Sequence, residues 1–242
     1  MDREYHRWFS PNLSRDMELL TFGRAGAKVL IFPTRQGRFF DYENWGLVSA
    51  LTEPIERDLL HLFCVDSVDC ESLYCRCVPP AARIARHKQY EKYLLGEVIP
   101  LMRSNAADPF LIAHGCSIGA YHAVTLALRH PCVFGKVVAL SGRYDLTERC
   151  GPFPDLFDGY YDEDIYFHMP NHFLPQLEDS HLLSAMQSMQ IVLAVGKQDP
   201  FKETTEELSR QLSKKGISHT LAIWEGEAHK ACHWRSMVRC YL

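Results

Sequence analysis

The chain of 242 residues lacks any apolar run long enough to cross a membrane. Its most apolar stretches, such as Lys28-Val-Leu-Ile-Phe, are strand-sized. No signal-type segment follows the charged start Met1-Asp-Arg-Glu-Tyr-His-Arg-Trp, so a cytoplasmic location is expected. It also lacks a large excess of either charge. A net charge of -4 argues against the broad basic surface that nucleic acid or an anionic membrane would require, so neither partner is expected. There is no internal repeat, low-complexity tract, P-loop, dinucleotide fingerprint or His-rich metal motif, and no cofactor is expected.

The nine cysteines are odd in number and scattered through a chain too long to need disulfide staples, which points to reduced thiols. The tightest group, Cys70, Cys75 and Cys77, lacks paired CxxC spacing and a nearby histidine, so these read as loop thiols and no metal is expected. Whether copies of the chain associate is not encoded in any pattern of this kind.

What the sequence does contain is 47% apolar residues, enough for one substantial core. Short β-branched apolar runs alternate with longer amphipathic stretches, the mark of βαβ units around a parallel sheet. The expected strands are Glu18–Phe22, Lys28–Phe32, Leu60–Val65, Phe110–Gly115, Lys136–Leu140, Gln190–Val195 and Thr220–Trp224. Helical spacing is expected over Ala81–Arg103, Gly119–His130, Lys202–Lys214 and Lys230–Tyr241. Residues 143–175, rich in aromatics, proline, glycine and acids, read as an irregular excursion over the strand ends, a lid or pocket wall. The expectation is an α/β fold in one domain, 1–242, with a mostly parallel central sheet and helices on both faces.

The sharpest feature is Gly115-Cys116-Ser117-Ile118-Gly119, a G-x-S-x-G pattern between a strand and a helix. A serine on a tight strand-to-helix turn stands clear of the sheet, and the flanking glycines let the two elements approach. The Ile118 N–H, opening the helix, would face a developing oxyanion. A serine hydroxyl needs a base and an orienting acid, and in the α/β-hydrolase order these follow on later strand ends. Asp199 lies on the turn after Gln190–Val195, and His229 on the loop after Thr220–Trp224. His233 is the rival base, one helical turn further on. Asp66, Glu225 and Glu227 are weaker acids, read as structural or solvated. A second oxyanion donor should come from the loop Pro33-Thr34-Arg35-Gln36-Gly37; Pro33 has no N–H, so Thr34 or Arg35 must donate, with Thr34 preferred. Arg35 and Gln36 are candidate substrate-pocket residues, Arg35 for an anionic group. Cys116 is expected to pack beneath the turn.

These segments resemble a broad esterase family whose relatives include S-formylglutathione hydrolases, feruloyl esterases, siderophore esterases and mycolyltransferases. The resemblance is strongest to a compact bacterial branch of it. It runs through Arg7-Trp-Phe-Ser-Pro, Phe32-Pro-Thr, Gly37-Arg-Phe, Phe63-Cys-Val-Asp-Ser-Val-Asp, Gly115-Cys-Ser-Ile-Gly-Ala-Tyr-His-Ala, Phe157-Asp-Gly-Tyr-Tyr, Leu193-Ala-Val-Gly and Trp234-Arg-Ser-Met. It implies a catalytic triad of Ser117, Asp199 and His229, acting on a small-molecule acyl ester through an acyl-enzyme. The branch usually has a small residue and Gly at Arg35 and Gln36, Trp at Leu73, Thr at His114, and Asp-Trp at Lys230-Ala231. Two alternatives accompany this reading: an acyltransferase using the same triad, and a catalytically silent paralogue that serves as a binding module.

Overall fold

In the computed structural model, which describes residues 1–103 and 110–242, the apolar runs form one sheet. Its strands are β1 (Arg3–Ser10), β2 (Arg15–Phe22), β3 (Ala27–Phe32), β4 (Leu60–Val65), β5 (Leu111–Cys116), β6 (Lys136–Leu140), β7 (Gln190–Gly196) and β8 (Thr220–Trp224). They lie side by side in the order β1-β2-β4-β3-β5-β6-β7-β8. β2 runs antiparallel to both of its neighbours, and every other adjacent pair is parallel. The mostly parallel sheet is the α/β architecture that the alternation of patterns implies.

β1 was not among the expected strands. Its sequence, Arg-Glu-Tyr-His-Arg-Trp-Phe-Ser, is mostly exposed and charged, as suits the edge of a sheet where unpaired backbone must be protected. The long helical stretch is also subdivided. Pro80–Tyr93 is α-helical, Leu94–Val98 is a π turn, and Ile99–Arg103 resumes the helix. The widened turn carries Glu97, whose carboxylate accepts from Trp8 Nε1 (2.7 Å) and Ser10 Oγ (2.7 Å), fastening β1 to the helix. Residues 143–175 are less irregular than expected, since they close in the helices Glu163–His168 and Pro170–Gln176, the second ending just outside the segment.

Apolar residues cover both faces of the sheet, which explains the near-continuous hydrophobic strands. On one face Leu30, Phe32, Ala113, Val137 and Leu193 pack with Tyr90, Tyr93, Val124 and Leu208. On the other, Val29, Ile31, Ile112, Val138 and Leu140 pack with Leu47, Leu51, Trp234 and Met237. The chain leaves β3 to form β4 on one side and then crosses back to place β5 on the other. Strand order therefore reverses at β3 and β5, whose carboxyl ends lie together with Phe32 opposite Gly115. In open α/β sheets such a switch point is where a cleft forms.

Candidate active site

Ser117 joins β5 to the helix Ile118–Arg129 with φ 58° and ψ -123°, a conformation strained for a residue with a Cβ. The surrounding structure enforces it. The Ser117 N–H donates to Leu140 O at 2.8 Å, and two glycines permit close approach. A Cβ on Gly115 would stand 2.2 Å from Gly119 C, and one on Gly119 would stand 2.6 Å from Phe32 O and Pro33 O. The turn thus lifts the serine hydroxyl above the strand ends.

β7 ends in the turn Gly196–Asp199, closed by Asp199 N–H donating to Gly196 O at 3.1 Å. The Asp199 side chain is buried; Oδ1 accepts from Phe201 N–H at 2.9 Å, which aims Oδ2 at the next loop. There His229 Nδ1–H donates to Asp199 Oδ2 at 3.0 Å. With that nitrogen protonated, Nε2 is the acceptor, and it lies 3.1 Å from Ser117 Oγ. The imidazole is held edge-on between Phe201 and Trp234, at centroid distances of 5.3 and 5.2 Å. Trp234 is in turn anchored by Nε1–H donating to Ser141 Oγ at 3.1 Å.

The three side chains open into a cleft of about 360 Å³. Thr34 and Arg35 from the turn after β3 line it with Ser117 and Ile118, and Trp45, Tyr74, Arg143, Phe153, Phe201, His229 and Trp234 complete it. Gln36 is not part of this lining. It is exposed, at φ 56°, in the turn closed by Gly37 N–H donating to Thr34 O at 2.8 Å. Ile118 is the first residue of its helix, so its N–H has no intrahelical acceptor.

The remaining candidates lie apart. Asp66 is buried against Arg38 Nε at 2.8 Å. Glu225 and Glu227 are exposed beside Lys197 and Lys230. His233 sits on the last helix, its N–H donating to Lys230 O, with no side-chain bond to the triad. Cys116 is buried in the core, and burial pushes its thiol pKa far up, so it is no rival nucleophile. Cys75 and Cys77 Sγ lie 3.0 Å apart in a loop, and among the described residues no group of three or more His, Cys, Asp or Glu is arranged to hold a metal.

Ser117, Asp199 and His229, the expected candidates, come together at one cleft, whereas several of its wall residues carry no sequence signal. Trp45, Tyr74 and Phe201 come from separate loops, and no local pattern unites them. Arg143 and Phe153 lie in the 143–175 segment expected to wall the pocket, and Trp234 in Trp234-Arg-Ser-Met.

A serine facing a histidine–aspartate pair at the switch point of such a sheet places the protein among the serine α/β-hydrolases. Residues 67–237 match the family model described as "Putative esterase", and the chain belongs to that esterase family. Its fold is similar to that of a ferulic acid esterase, with 13% identity, a TM-score of 0.77, and coverage of 99% of this chain and 95% of that one. It is also similar to an S-formylglutathione hydrolase from Agrobacterium tumefaciens, with 14% identity, a TM-score of 0.75, and coverage of 98% and 92%. Mycobacterium tuberculosis MPT51 (FbpC1) is similar at 14% identity, a TM-score of 0.74, and coverage of 99% and 96%. No curated protein matches the chain in sequence.

Proposed function

We propose that the protein hydrolyses small-molecule carboxylic esters through an acyl-enzyme on Ser117, the whole chain acting as one hydrolase domain with residues 143–175 as a wall of its cleft. The single observation carrying this reading is the unbroken line Asp199 Oδ2, His229 Nδ1, His229 Nε2, Ser117 Oγ, with steps of 3.0 and 3.1 Å. His229 takes the Ser117 proton as the hydroxyl attacks the ester carbonyl. Asp199 holds the tautomer that leaves Nε2 free to do so and stabilises the imidazolium that forms. The Ile118 and Thr34 N–H groups receive the oxyanion; both residues line the cleft, one opening the helix after Ser117 and the other on the turn after β3. His229 then returns its proton to the departing alcohol, and a water activated by the same nitrogen releases the acid.

The test is covalent labelling. A fluorophosphonate probe should modify the native protein and not Ser117→Ala, and that variant should lose hydrolysis of 4-nitrophenyl acetate while retaining its unfolding midpoint. Undiminished turnover by Ser117→Ala would overturn the mechanism.

A further inference from the structure

One part of the cleft carries charge that the fold leaves unneutralised. Its lining holds two arginines, a histidine, hydroxyls and aromatic rings, and no carboxylate. Some arginines of the chain are paired with acids, as Arg38 with Asp66, Arg83 with Asp158 and Arg129 with Glu91, while others, such as Arg235 and Arg239, bond backbone carbonyls. Arg35 and Arg143 have no such ion pair among the described residues.

The two are held differently. Arg143 is only 3% exposed, and its guanidinium donates through Nε to Asp145 O (3.0 Å) and through Nη2 to Pro154 O (2.9 Å) and Glu148 O. Backbone carbonyls orient the group without cancelling its unit charge, and a buried cation lacking a counter-ion is costly to keep. Arg35 is exposed on the Thr34–Gly37 turn, with no described side-chain bond. Asp199, the acid of the site, is already committed to His229 and the Phe201 N–H. Tyr74 lies within reach of both cations: burial and then Asp69 raise its hydroxyl pKa, and Arg143, Arg35 and Arg76 act against that rise.

We propose that the cleft selects esters bearing a second, anionic group, a carboxylate or a phosphate, held by Arg35 and Arg143 while the ester carbonyl lies at Ser117. This rests on the esterase reading above and names its substrate class. A guanidinium presents paired donors that match the oxygens of either anion. Arg143, its Nε and Nη2 committed to three carbonyls, keeps Nη1 for the anion, and Arg35, with no described side-chain bond, is free to offer a paired fork from the rim. Trp45, Phe153, Phe201 and Trp234 supply flat apolar surface for the rest of the molecule.

Matched ester pairs test this on the intact protein. Mono-4-nitrophenyl glutarate against 4-nitrophenyl butyrate places a carboxylate in the acyl part. 3-Carboxyphenyl acetate and 3-acetoxyphenyl phosphate, each against phenyl acetate, place either anion in the alcohol part and separate the two. In at least one pair the anionic ester should have a kcat/KM about tenfold higher, the scale of one charge-assisted hydrogen bond. Arg35→Gln should reduce that preference about fivefold or more, mainly through KM, and 0.5 M NaCl should reduce it in the native protein. Arg143→Lys keeps the charge but loses the carbonyl bonds that orient it and the Nη1 donor, so it should also narrow the preference; if it does not fold, Arg35→Gln decides alone. Neutral esters hydrolysed as well as anionic ones in every pair, or a preference that Arg35→Gln leaves intact, would overturn the inference while the esterase mechanism stands. Absence of all turnover together with absence of fluorophosphonate labelling would overturn both.

Discussion

Two of the protein's aspartate–histidine pairs, Asp199–His229 and Asp69–His122, do different things. In the cleft, Asp199 and His229 meet at 3.0 Å, and the imidazole is 20% exposed. In the interior, Asp69 and His122 meet at 3.1 Å, and each side chain is 2% exposed. His122 lies on the helix that Ser117 introduces, five positions after the serine. The difference lies in what surrounds the ring. His229 presents its second nitrogen to a hydroxyl in a cleft. His122 is enclosed by Phe32, His87, Tyr90 and Tyr121, with no nucleophile in that set. The other Asp69 oxygen accepts a long bond, 3.4 Å, from the Gln36 N–H and so steadies the turn that carries Thr34. An acid–histidine pair becomes chemistry only where its far nitrogen meets a nucleophile and solvent; enclosed, the same pair is a brace.

The comparison is broken or upheld first by rate. His229→Ala should lower kcat by about 10⁴-fold with little change in the unfolding midpoint, since a triad acts as a unit. His233→Ala should lower it less than tenfold, an order-of-magnitude bound for a residue outside the triad. Steady-state hydrolysis of 4-nitrophenyl acetate reads both; a greater loss at His233 would transfer the role of base. His122→Leu should show the reverse pattern. It leaves Asp69 buried without its partner, a loss of about 3 kcal/mol of stability by urea denaturation, with kcat retained within an order of magnitude. A His122 variant as inactive as His229→Ala and as stable as the native protein would make the brace part of the reaction.

The same contrast explains how much was legible. Ser117 directly follows β5, and Asp199 and His229 lie on the loops after β7 and β8, so strand ends and chain order were enough to single them out as candidates. Asp69 and His122 were visible only as members of quoted segments, because a buried pair joined across 53 positions has no spacing rule. β1 escaped because an edge strand with polar residues on both faces lacks the alternation that marks a half-buried strand. The short helices Asp41–Asn44, Leu47–Ala50 and Thr52–Glu56 escaped because four or five residues do not complete a helical period worth reading. The cleft walls are a property of the assembled loops, so only folding brings them together.

Acid sharpens the comparison on the interior side. Burial lowers the pKa of His114 to about 4, against an opposing bond to Val138 O at 2.7 Å, and burial with neighbouring histidines holds His87 well below its ordinary value. Both are neutral when folded, whereas an unfolded histidine takes a proton near pH 6.5. Folding stability is therefore complete above about pH 6.5 and falls as the pH drops, by up to about 1.4 kcal/mol per pH unit for each group. For His114 the fall stops near pH 4, where the folded protein also takes the proton. Glu91 is outside this window: burial raises its pKa, but hydrogen bonds from His130 and Arg129 and the close approach of His168 overcome that and depress it, so its share is lost only below the ordinary carboxylate range. Urea midpoints between pH 7 and 5 should fall less steeply in His114→Thr than in the native chain. Parallel slopes would remove His114 as a cause.

The smallest expected effect concerns the turn between the two pairs. Gln36 has φ 56°, in the left-handed region that glycine adopts freely, and it is exposed. For a residue with a Cβ this conformation costs about 1–2 kcal/mol. Gln36→Gly removes that cost but loosens the unfolded chain by about 0.5–1 kcal/mol. The difference favours the variant by about 0–1.5 kcal/mol, and the main-chain N–H of residue 36 that reaches Asp69 is retained. The unfolding midpoint should therefore rise slightly. Hydrolysis of a neutral ester should change only if the turn's rigidity sets the position of Thr34. A lower midpoint would show that the side chain makes a contact in solution, and the turn would then owe its shape to Gln36 as well as to Asp69.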